Sequence, residues 1–291
     1  MRTVGMIGLG LLGSAIAQRL LAAGYGVLGY ELSVERRNEL LAAGGRTADS
    51  AIDVARVCDH VVLSLPDADV VAKVIAQLQP ALRGGQLIVD TTTGDPAESA
   101  ALGAKLAGQG VGFLDATIAG SSVQVREGQA IVMVGGEEVA FTLAREIISC
   151  FGKEVFHVGP WGSGARMKLV VNLVLGLNRA VLAEGLTLAS ALDLDLPTTL
   201  AILKASPAYS TVMDIKGEKM LSGDFAPQAR LSQHLKDVRL ILEAAGRTQL
   251  ALPLSSVHRQ LLERAERLGC GELDNSAIIQ VFQNENDPTD T

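Results

Sequence analysis

Short apolar runs alternate with amphipathic stretches along the first half of the chain. The apolar runs have the length and composition of strands and comprise residues 4–7, 26–30, 60–65, 86–90, 112–115 and 131–134. The stretches between them have helical length and spacing and comprise residues 11–23, 33–43, 50–56, 68–79 and 97–108. This alternation is typical of a doubly wound, mostly parallel sheet with helices on both faces and ligands at the carboxyl ends of its strands.

The pattern changes after Pro160, where helical period replaces the alternation. From Gly164 onward the breaks between helical segments fall near residues 193–197, 206–210, 223–227, 246–253 and 269–274. We therefore predict an α/β domain over residues 1–161 and an all-helical domain over residues 162–291. A long helix at residues 162–192 is expected to join them.

The first predicted strand runs directly into a glycine-rich turn. The turn has the spacing G-x-G-x-x-G and consists of Gly8, Leu9, Gly10, Leu11, Leu12 and Gly13. In a Rossmann domain, the first glycine permits the tight turn, the second lets the backbone approach a pyrophosphate, and the third lets the helix pack on the strand. Because the turn follows a predicted strand and opens a predicted helix, the sequence predicts a Rossmann domain that binds a dinucleotide through these six residues.

Glu31 lies 21 residues after Gly10, at the end of the second predicted strand. A carboxylate at this place accepts hydrogen bonds from ribose hydroxyls and repels a 2′-phosphate. The sequence therefore favours NAD over NADP. Arg36 and Arg37 could instead reach a phosphate, but arginines on a predicted helix are more often solvated surface residues.

Charge and composition narrow the function classes. The chain has 25 basic and 32 acidic residues, and it has no basic run that could follow a nucleic-acid backbone. Three separate cysteines, Cys58, Cys150 and Cys270, favour reduced thiols and hence the cytoplasm. The four histidines are scattered without metal-ligand spacing, so no metal site is expected.

Two apolar stretches could suggest a membrane protein. Glycines interrupt the N-terminal stretch where a signal peptide would be continuous, so we interpret it as a strand and turn. Polar residues interrupt residues 169–192, which we interpret as the buried helix of a soluble protein. No membrane partner is expected.

The start of the second half carries an amine and an amide at helical spacing. Residues 161–172 read W-G-S-G-A-R-M-K-L-V-V-N, which places Lys168 and Asn172 four residues apart on one helix face. A lysine can exchange a proton with a substrate when its pKa is lowered by burial or by a neighbouring positive charge. Lys168 is therefore a candidate acid-base group.

With these residues the chain resembles the β-hydroxyacid dehydrogenases, a family that includes 3-hydroxyisobutyrate dehydrogenase and the tartronate semialdehyde and glyoxylate/succinic semialdehyde reductases. The family's G-x-G-x-x-x-K-x-x-x-N element is matched by Gly162, Gly164, Lys168 and Asn172. Its D-A-P-V-S-G-G substrate loop is matched by Asp115-Ala116-Thr117-Ile118-Ala119-Gly120-Ser121, followed by Ser122, and its K-D pair by Lys236-Asp237.

The resemblance implies a role for each matched residue. Lys168 is the catalytic lysine, and Asn172 orients the substrate. Leu65, Pro66 and Thr93 contact the cofactor, with Thr93 nearest the nicotinamide. Substrate contacts are implied for Ala119, Gly120, Ser121, Ser122, Lys168, Asn172 and Lys236.

Some of these roles have alternatives. Lys236 can contact cofactor or substrate, or form a solvated ion pair with Asp237, which we otherwise interpret as helix electrostatics. We expect the N–H groups of Gly120 and Ser121 to bind a substrate carboxylate. Gln124 and Arg126 could line the same pocket, although surface positions are the simpler interpretation.

The chain also departs from the family. Ala119 replaces the usual substrate-binding serine, so one hydroxyl is missing unless Ser121 or Ser122 supplies it. Leu175 stands where 6-phosphogluconate dehydrogenases carry a glutamate, which disfavours decarboxylation. Imine reductases generally replace the lysine, so Lys168 favours alcohol and carbonyl chemistry.

We therefore predict an NAD(H)-dependent oxidoreductase that interconverts a small β-hydroxy or ω-hydroxy carboxylic acid and its semialdehyde. The alternatives are an NADPH-preferring glyoxylate/succinic semialdehyde or imine reductase and, from another class, a non-catalytic dinucleotide-binding protein. The expected second domain is similar to that of 6-phosphogluconate dehydrogenase. The resemblance and the apolar residues 169–192 further imply a homodimer or homotetramer.

Overall fold

A computed structural model of the chain describes residues 2–284. Its strands are β1 (Thr3–Ile7), β2 (Gly26–Tyr30), β3 (Arg46–Thr47), β4 (His60–Leu63), β5 (Leu87–Asp90), β6 (Gly112–Ala119), β7 (Ile131–Gly136) and β8 (Glu154–Gly159). Its helices are α1 (Leu11–Ala22), α2 (Val34–Ala42), α3 (Ala51–Val57), α4 (Ala68–Leu78), α5 (Pro96–Ala107), α6 (Ser122–Arg126), α7 (Glu138–Ser149), α8 (Ser163–Ala191), α9 (Leu196–Ala205), α10 (Thr211–Ser222), α11 (Leu231–Arg247), α12 (Pro253–Arg267) and α13 (Ile279–Gln283).

The chain divides into two compact units, Met1–Lys168 and Leu169–Thr291. The division falls inside α8, whereas the sequence places it before this helix, between residues 161 and 162. The reason is that the first turn of α8 hydrogen-bonds to the sheet of the first unit, as described below. Residues 285–291 of the predicted second domain lie outside the described residues.

All strands of the first unit form one sheet in the order β3-β2-β1-β4-β5-β6-β7-β8. The strands from β3 to β6 are parallel, β7 runs antiparallel to β6, and β8 is parallel to β7. The order reverses between β1 and β4, as in a doubly wound nucleotide-binding sheet. The predicted α/β fold class is therefore confirmed.

Apolar residues cover both faces of this sheet, because successive side chains of a buried strand point to opposite sides. Val62 and Val89 join a core with helices α1 and α7. Their neighbours Val61 and Ile88 join a second core with helices α3, α4 and α5. Burial on both faces explains why the strands read as continuous apolar runs in the sequence.

The helices that connect the first strands begin at side-chain caps. Ser33, Ser50, Asp67 and Asp95 each accept a hydrogen bond from a backbone N–H in the first turn of α2, α3, α4 and α5. Such caps satisfy N–H groups that have no partner inside a helix. They explain why the predicted helix starts agree with the structure to within one residue.

Several elements of the first unit differ from prediction. The predicted strand at residues 112–115 continues to Ala119, because β6 pairs antiparallel with β7 from Leu114 to Ala119. The sequence pattern predicts neither the two-residue strand β3, nor β8, nor the helices α6 and α7. The buried residues of α7 recur at helical spacing, at Ala140, Ala144 and Ile147, so its period was detectable.

The regular elements described in the second unit are helices, and each predicted break includes a connection between two of them, although residues 193–197 and 246–253 also overlap the adjoining helix ends. A buried ion pair lies in its interior, between Lys216 and Asp274 at 2.8 Å. Burial alone would raise the pKa of Asp274. Hydrogen bonds from Lys216, Gln228 and Ser276, with the charge of Lys216, instead lower it to about 2.

Helix α8 has two different apolar faces. One joins the core of the second unit through Leu182, Ala183 and Leu186. The other carries Val170, Val174, Val181 and Leu188, each more than half exposed. By length and composition α8 could also cross a membrane, although 39% of its most apolar 18 residues are buried inside the protein. The expectation of a buried helix is thus correct for one face only.

Candidate active site

The glycine turn lies where the strand order of the sheet reverses. Gly8 directly follows β1 and has a φ of +91°, which L side chains rarely adopt. A Cβ atom at Gly8 would also collide with the carbonyl oxygen of Ser64, the residue after β4. The turn therefore lies at the crevice in which doubly wound sheets bind their ligands.

Gly10 and Gly13 differ in what surrounds them. A Cβ atom at Gly13 would collide with the carbonyl oxygen of Gly8, so α1 packs directly against the turn. A Cβ atom at Gly10 would meet nothing within 4 Å. Gly10 is also the N-cap of α1 and forms no side-chain hydrogen bond to its first turn. The turn thus offers open space and helix N–H groups, which fit the pyrophosphate of a dinucleotide.

Glu31 connects the end of β2 to the glycine turn. One carboxylate oxygen accepts a hydrogen bond from the N–H of Leu9 at 2.8 Å, and the other from the N–H of Leu32 at 2.7 Å. The second oxygen also accepts from the N–H of Ser33 at 3.4 Å, so the oxygen bonded to Leu9 is the one that keeps a lone pair for a ribose hydroxyl. Glu31 is therefore held beside the turn.

The loops after β4 and β5 contact each other at the same edge of the sheet. The N–H of Leu65 donates a hydrogen bond to Oγ1 of Thr92 at 3.1 Å. The N–H of Thr92 donates to the carboxylate of Asp90 at 2.9 Å. The predicted cofactor contacts Pro66 and Thr93 are the next residues of these two loops, so they also lie at the carboxyl ends of the strands.

Two carboxyl groups are buried next to each other at this edge, Asp90 on β5 and Asp115 on β6, which pair in register. Burial raises the pKa of Asp90 to about 7, against hydrogen bonds from Thr92 that lower it, and the nearby Asp115 adds to the rise. Burial also raises the pKa of Asp115, although backbone N–H groups oppose the shift. Apart from that of Asp115 itself, these backbone groups belong to Gly162, Gly164 and Ala165, at the start of α8.

Asp115 fixes the position at which α8 begins. Its two carboxylate oxygens accept hydrogen bonds from the N–H of Gly162 at 2.8 Å and of Ala165 at 2.9 Å. Thr117, two residues further along β6, donates to the carbonyl oxygen of Gly164 at 2.8 Å. The first turn of the helix is thus hydrogen-bonded to a single strand.

Lys168 is one turn further along α8. Its Nζ donates a hydrogen bond to the carbonyl oxygen of Ile118 at 2.6 Å. Ile118 precedes the predicted substrate residues Ala119 and Gly120. The structure therefore places the candidate acid-base amine against the strand that leads into the substrate loop.

The substrate loop is closed by its own side chains. The N–H of Ser121 donates to Oε1 of Gln124 at 2.8 Å, and the N–H of Gln124 donates to Oγ of Ser121 at 3.3 Å. The Ser121 N–H, expected to bind a substrate carboxylate, thus already has a partner. Gln124 is not a plain surface residue, which corrects the simpler interpretation, whereas Arg126 is exposed as expected.

Asn172 lies in the second unit and has a buried partner. Its Nδ2 donates a hydrogen bond to Oδ2 of Asp237 at 2.9 Å, and both side chains are buried. Asp237 therefore orients the amide of Asn172, which corrects its interpretation as simple helix electrostatics. Lys236, its neighbour on α11, is partly buried.

Two family models cover the chain. Residues 3–159 match the NAD binding domain of 6-phosphogluconate dehydrogenase, and residues 162–282 match the NAD-binding domain of NADP-dependent 3-hydroxyisobutyrate dehydrogenase. The chain belongs to the β-hydroxyacid dehydrogenase family. It is accordingly an oxidoreductase that uses a nicotinamide dinucleotide.

Individual relatives align with this dehydrogenase over nearly their whole length. The chain is 32% identical over 284 residues to the 2-(hydroxymethyl)glutarate dehydrogenase of Eubacterium barkeri, covering 96% of this chain and 94% of the relative. It is 28% identical over 287 residues to the 2-hydroxy-3-oxopropionate reductase of Escherichia coli, covering 96% and 97%. The crystal structure of 3-hydroxyisobutyrate dehydrogenase from Salmonella typhimurium is similar with a TM-score of 0.90, at 26% identity, covering 97% and 100%.

The predicted site residues of the dehydrogenase fall in two groups. The first unit holds the glycine turn, Glu31, the loops after β4 and β5, the substrate loop and Lys168. The second unit holds Asn172 and Lys236. Sequence reasoning missed the structural roles of Asp115, Gln124 and Asp237, whose partners lie in other elements or in a helix that the pattern did not predict.

The histidines of the dehydrogenase have varied surroundings. His157 lies 2.8 Å from both the Glu138 carboxylate and the Gly136 carbonyl oxygen. His234 and His258 lie with ring centroids 5.2 Å apart. Across residues 2–284, no group of three or more histidine, cysteine or acidic side chains is placed to hold a metal ion.

Two glycine substitutions should separate folding from cofactor binding. We expect Gly10→Ala to fold normally, because its Cβ meets no protein atom, but to weaken NAD(H) binding by about 10-fold or more, since the methyl group obstructs the pyrophosphate. We expect Gly13→Ala to lower the melting temperature as well, because its Cβ collides with Gly8. Thermal unfolding and titration with NADH measure the two effects. Equal melting temperatures for the two variants would contradict the assignment of Gly13 to helix packing and of Gly10 to pyrophosphate binding.

Proposed function

We propose that this dehydrogenase interconverts a small β-hydroxy or ω-hydroxy carboxylic acid and its semialdehyde, with Lys168 as the acid-base residue. The observation that carries the proposal is the hydrogen bond from Lys168 Nζ to Ile118 O, at the end of the strand that leads into the substrate loop. Relatives named for their action on hydroxy acids or the corresponding oxo compounds support a small hydroxy acid as the substrate.

Lys168 has the chemistry that this reaction needs. A bound nicotinamide would supply the acceptor of the substrate's hydride in oxidation and the hydride donor in reduction. As the alcohol is oxidised, a neutral Lys168 takes the proton of the substrate hydroxyl, and in the reverse direction it returns that proton to the carbonyl oxygen. A neutral amine that keeps its hydrogen bond to Ile118 O still has a lone pair for this proton.

The neighbouring contacts position the reacting groups. The bond to Ile118 O restricts the amine to one place, and Asp115 fixes the helix that carries it. Asn172 has its amide orientation set by Asp237, so its other polar atoms have defined directions. Such preorganisation contributes to rate because the groups need not be ordered during the reaction.

Replacing the lysine tests the mechanism. We expect Lys168→Ala to lower kcat by about 100-fold or more, the usual contribution of general acid-base catalysis. Binding of NADH should change little, because Lys168 is not part of the glycine turn. The exposed Lys153, changed to alanine, is the matched control and should retain full activity. Steady-state rates with 3-hydroxyisobutyrate and similar hydroxy acids measure the effect, and near-normal turnover by Lys168→Ala would overturn the mechanism.

We further propose that NAD is preferred over NADP. The carboxylate of Glu31 lies beside the turn, and the residue after it, Leu32, is 81% exposed and carries no charge to bind a phosphate. The nearby Arg36 is paired with Glu39 at 3.0 Å. A 2′-phosphate at this place would meet the negative charge of Glu31.

The preference should depend on that charge. We expect Glu31→Gln to lower the ratio of kcat/KM for NAD⁺ to that for NADP⁺ by about 10-fold, because repulsion is removed while one hydrogen bond to the turn is kept. The control is Glu35→Gln, which removes an exposed charge on α2 of the same region. An unchanged ratio in Glu31→Gln, or the same change in the control, would refute the assignment.

We also propose that two copies of the chain associate through the exposed apolar face of α8. Val170, Val174, Val181 and Leu188 follow one another at helical or heptad spacing on this face. Together with Phe282, part of the same face borders a shallow groove at Val181 and Leu188. Exposed apolar stripes of this kind are typical of interfaces between subunits.

Light scattering tests the association. We expect a dimer or tetramer at micromolar concentration for the unchanged protein and a smaller species for Val174→Glu combined with Val181→Glu, because buried unpaired charges oppose association. The control is Ile202→Glu, a substitution of an exposed apolar residue on α9. A monomeric unchanged protein would contradict the proposal.

The cytoplasmic location, expected from three cysteines that are free in the structure, stays a prediction.

A further inference from the structure

The loop that follows β6 has an unusual hydrogen-bond arrangement for a site that should bind a carboxylate. Oε1 of Gln124 accepts the hydrogen bond of the Ser121 N–H at 2.8 Å. Oγ of Ser121 in turn accepts from the N–H of Gln124 at 3.3 Å. These two bonds form a reciprocal capping box, in which each residue satisfies the backbone of the other.

A substrate carboxylate needs hydrogen-bond donors from this loop, and two of the expected ones are altered. Ala119 has no hydroxyl, although the family pattern places a serine there. The Ser121 N–H is directed at Gln124 and not at an open site. A carboxylate oxygen on this N–H would have to take the place that Oε1 of Gln124 occupies.

The amine of Lys168 is also engaged within the loop region. Its hydrogen bond to Ile118 O is 2.6 Å long. Arg126, the basic residue that follows on α6, is exposed. Within the first unit, two of the groups that would attract an anion to residues 119–122, the Ser121 N–H and the Lys168 amine, are thus already hydrogen-bonded, and Arg126 is exposed to solvent.

We propose that Gln124 is a specificity-determining residue, whose side-chain carbonyl competes with the substrate carboxylate for the Ser121 N–H. This inference rests on the proposed function and refines its substrate class. The competing oxygen is uncharged, so a carboxylate can displace it, but at the loss of one hydrogen bond. A carboxamide can instead donate an N–H to the second lone pair of Gln124 Oε1 and leave the capping bond in place, so the loop disfavours a carboxylate relative to a carboxamide.

Two substitutions at one position give opposite expectations. Gln124→Ala removes the competitor and leaves the Ser121 N–H for the substrate. Gln124→Glu keeps the capping box, because glutamate accepts the same hydrogen bond, and adds a negative charge beside the substrate. The experiment compares kcat/KM for 3-hydroxyisobutyrate with kcat/KM for its carboxamide in the unchanged protein and both variants.

We expect the acid-to-amide ratio to rise about 3- to 10-fold in Gln124→Ala, which corresponds to one net hydrogen bond. We expect the ratio to fall about 10-fold in Gln124→Glu, through competition and charge repulsion. Both changes should lie in KM for the acid, with kcat little altered, because Gln124 does not touch the reacting atoms. The matched control is Gln129→Glu, which adds the same charge at an exposed position five residues away.

Binding measurements keep the test independent of turnover. Isobutyrate and isobutyramide, which lack the reacting hydroxyl, are titrated against each protein in the presence of NADH, and the same changes in the acid-to-amide ratio of dissociation constants are expected. Melting temperature and NADH affinity show whether each variant is folded. An unchanged ratio in both Gln124 variants, or an equal change in Gln129→Glu, overturns the inference.

Failure of the proposed function would look different. In that case the unchanged protein would bind NADH but turn over none of the hydroxy acids or semialdehydes. The isobutyrate and isobutyramide titrations would still show whether Gln124 controls what the loop binds.

Discussion

The hydrogen bonds from the start of α8 to the carboxylate of Asp115 determine where the functional groups of this protein lie. Asp115 is on β6, and the same strand supplies the carbonyl oxygen of Ile118 that binds Lys168. The substrate loop begins where β6 ends. The proposed acid-base amine, the helix that carries it and the proposed substrate loop are therefore all positioned relative to one strand. A shift of β6 would therefore displace all three together.

This arrangement has an electrostatic cost, because Asp115 and Asp90 are buried side by side. A buried carboxylate is tolerated when hydrogen bonds replace its lost hydration. Asp115 has such bonds from the helix, whereas Asp90 has them chiefly from Thr92, and burial raises its pKa to about 7. Burial is therefore better compensated at Asp115 than at Asp90. Asp115, the carboxylate that binds the start of α8, accepts hydrogen bonds from more backbone N–H groups.

The sequence predicted those parts of the protein whose signal is local. The glycine turn, the parallel strands and the helical breaks of the second half each depend on neighbouring residues, and the structure confirms them. It did not predict β8, whose partly exposed residues form no buried apolar run, or the extension of β6, which depends on its antiparallel pairing with β7. For the same reason Asp237 was misinterpreted: its partner Asn172 lies 65 residues away in the chain. Gln124 had a detectable local signal, because a serine followed three residues later by glutamine is a capping-box pattern.

The division between the two units falls at Lys168, inside a continuous helix of 29 residues. Evolution or an engineer who exchanges one unit between relatives must therefore keep α8 whole. A crossover directly after Lys168 would join two parts of α8 from different parents. Lys168 would then come from one parent and Asn172 from the other. Crossovers in the turn at Pro160, or after Ala191, would instead carry both residues together.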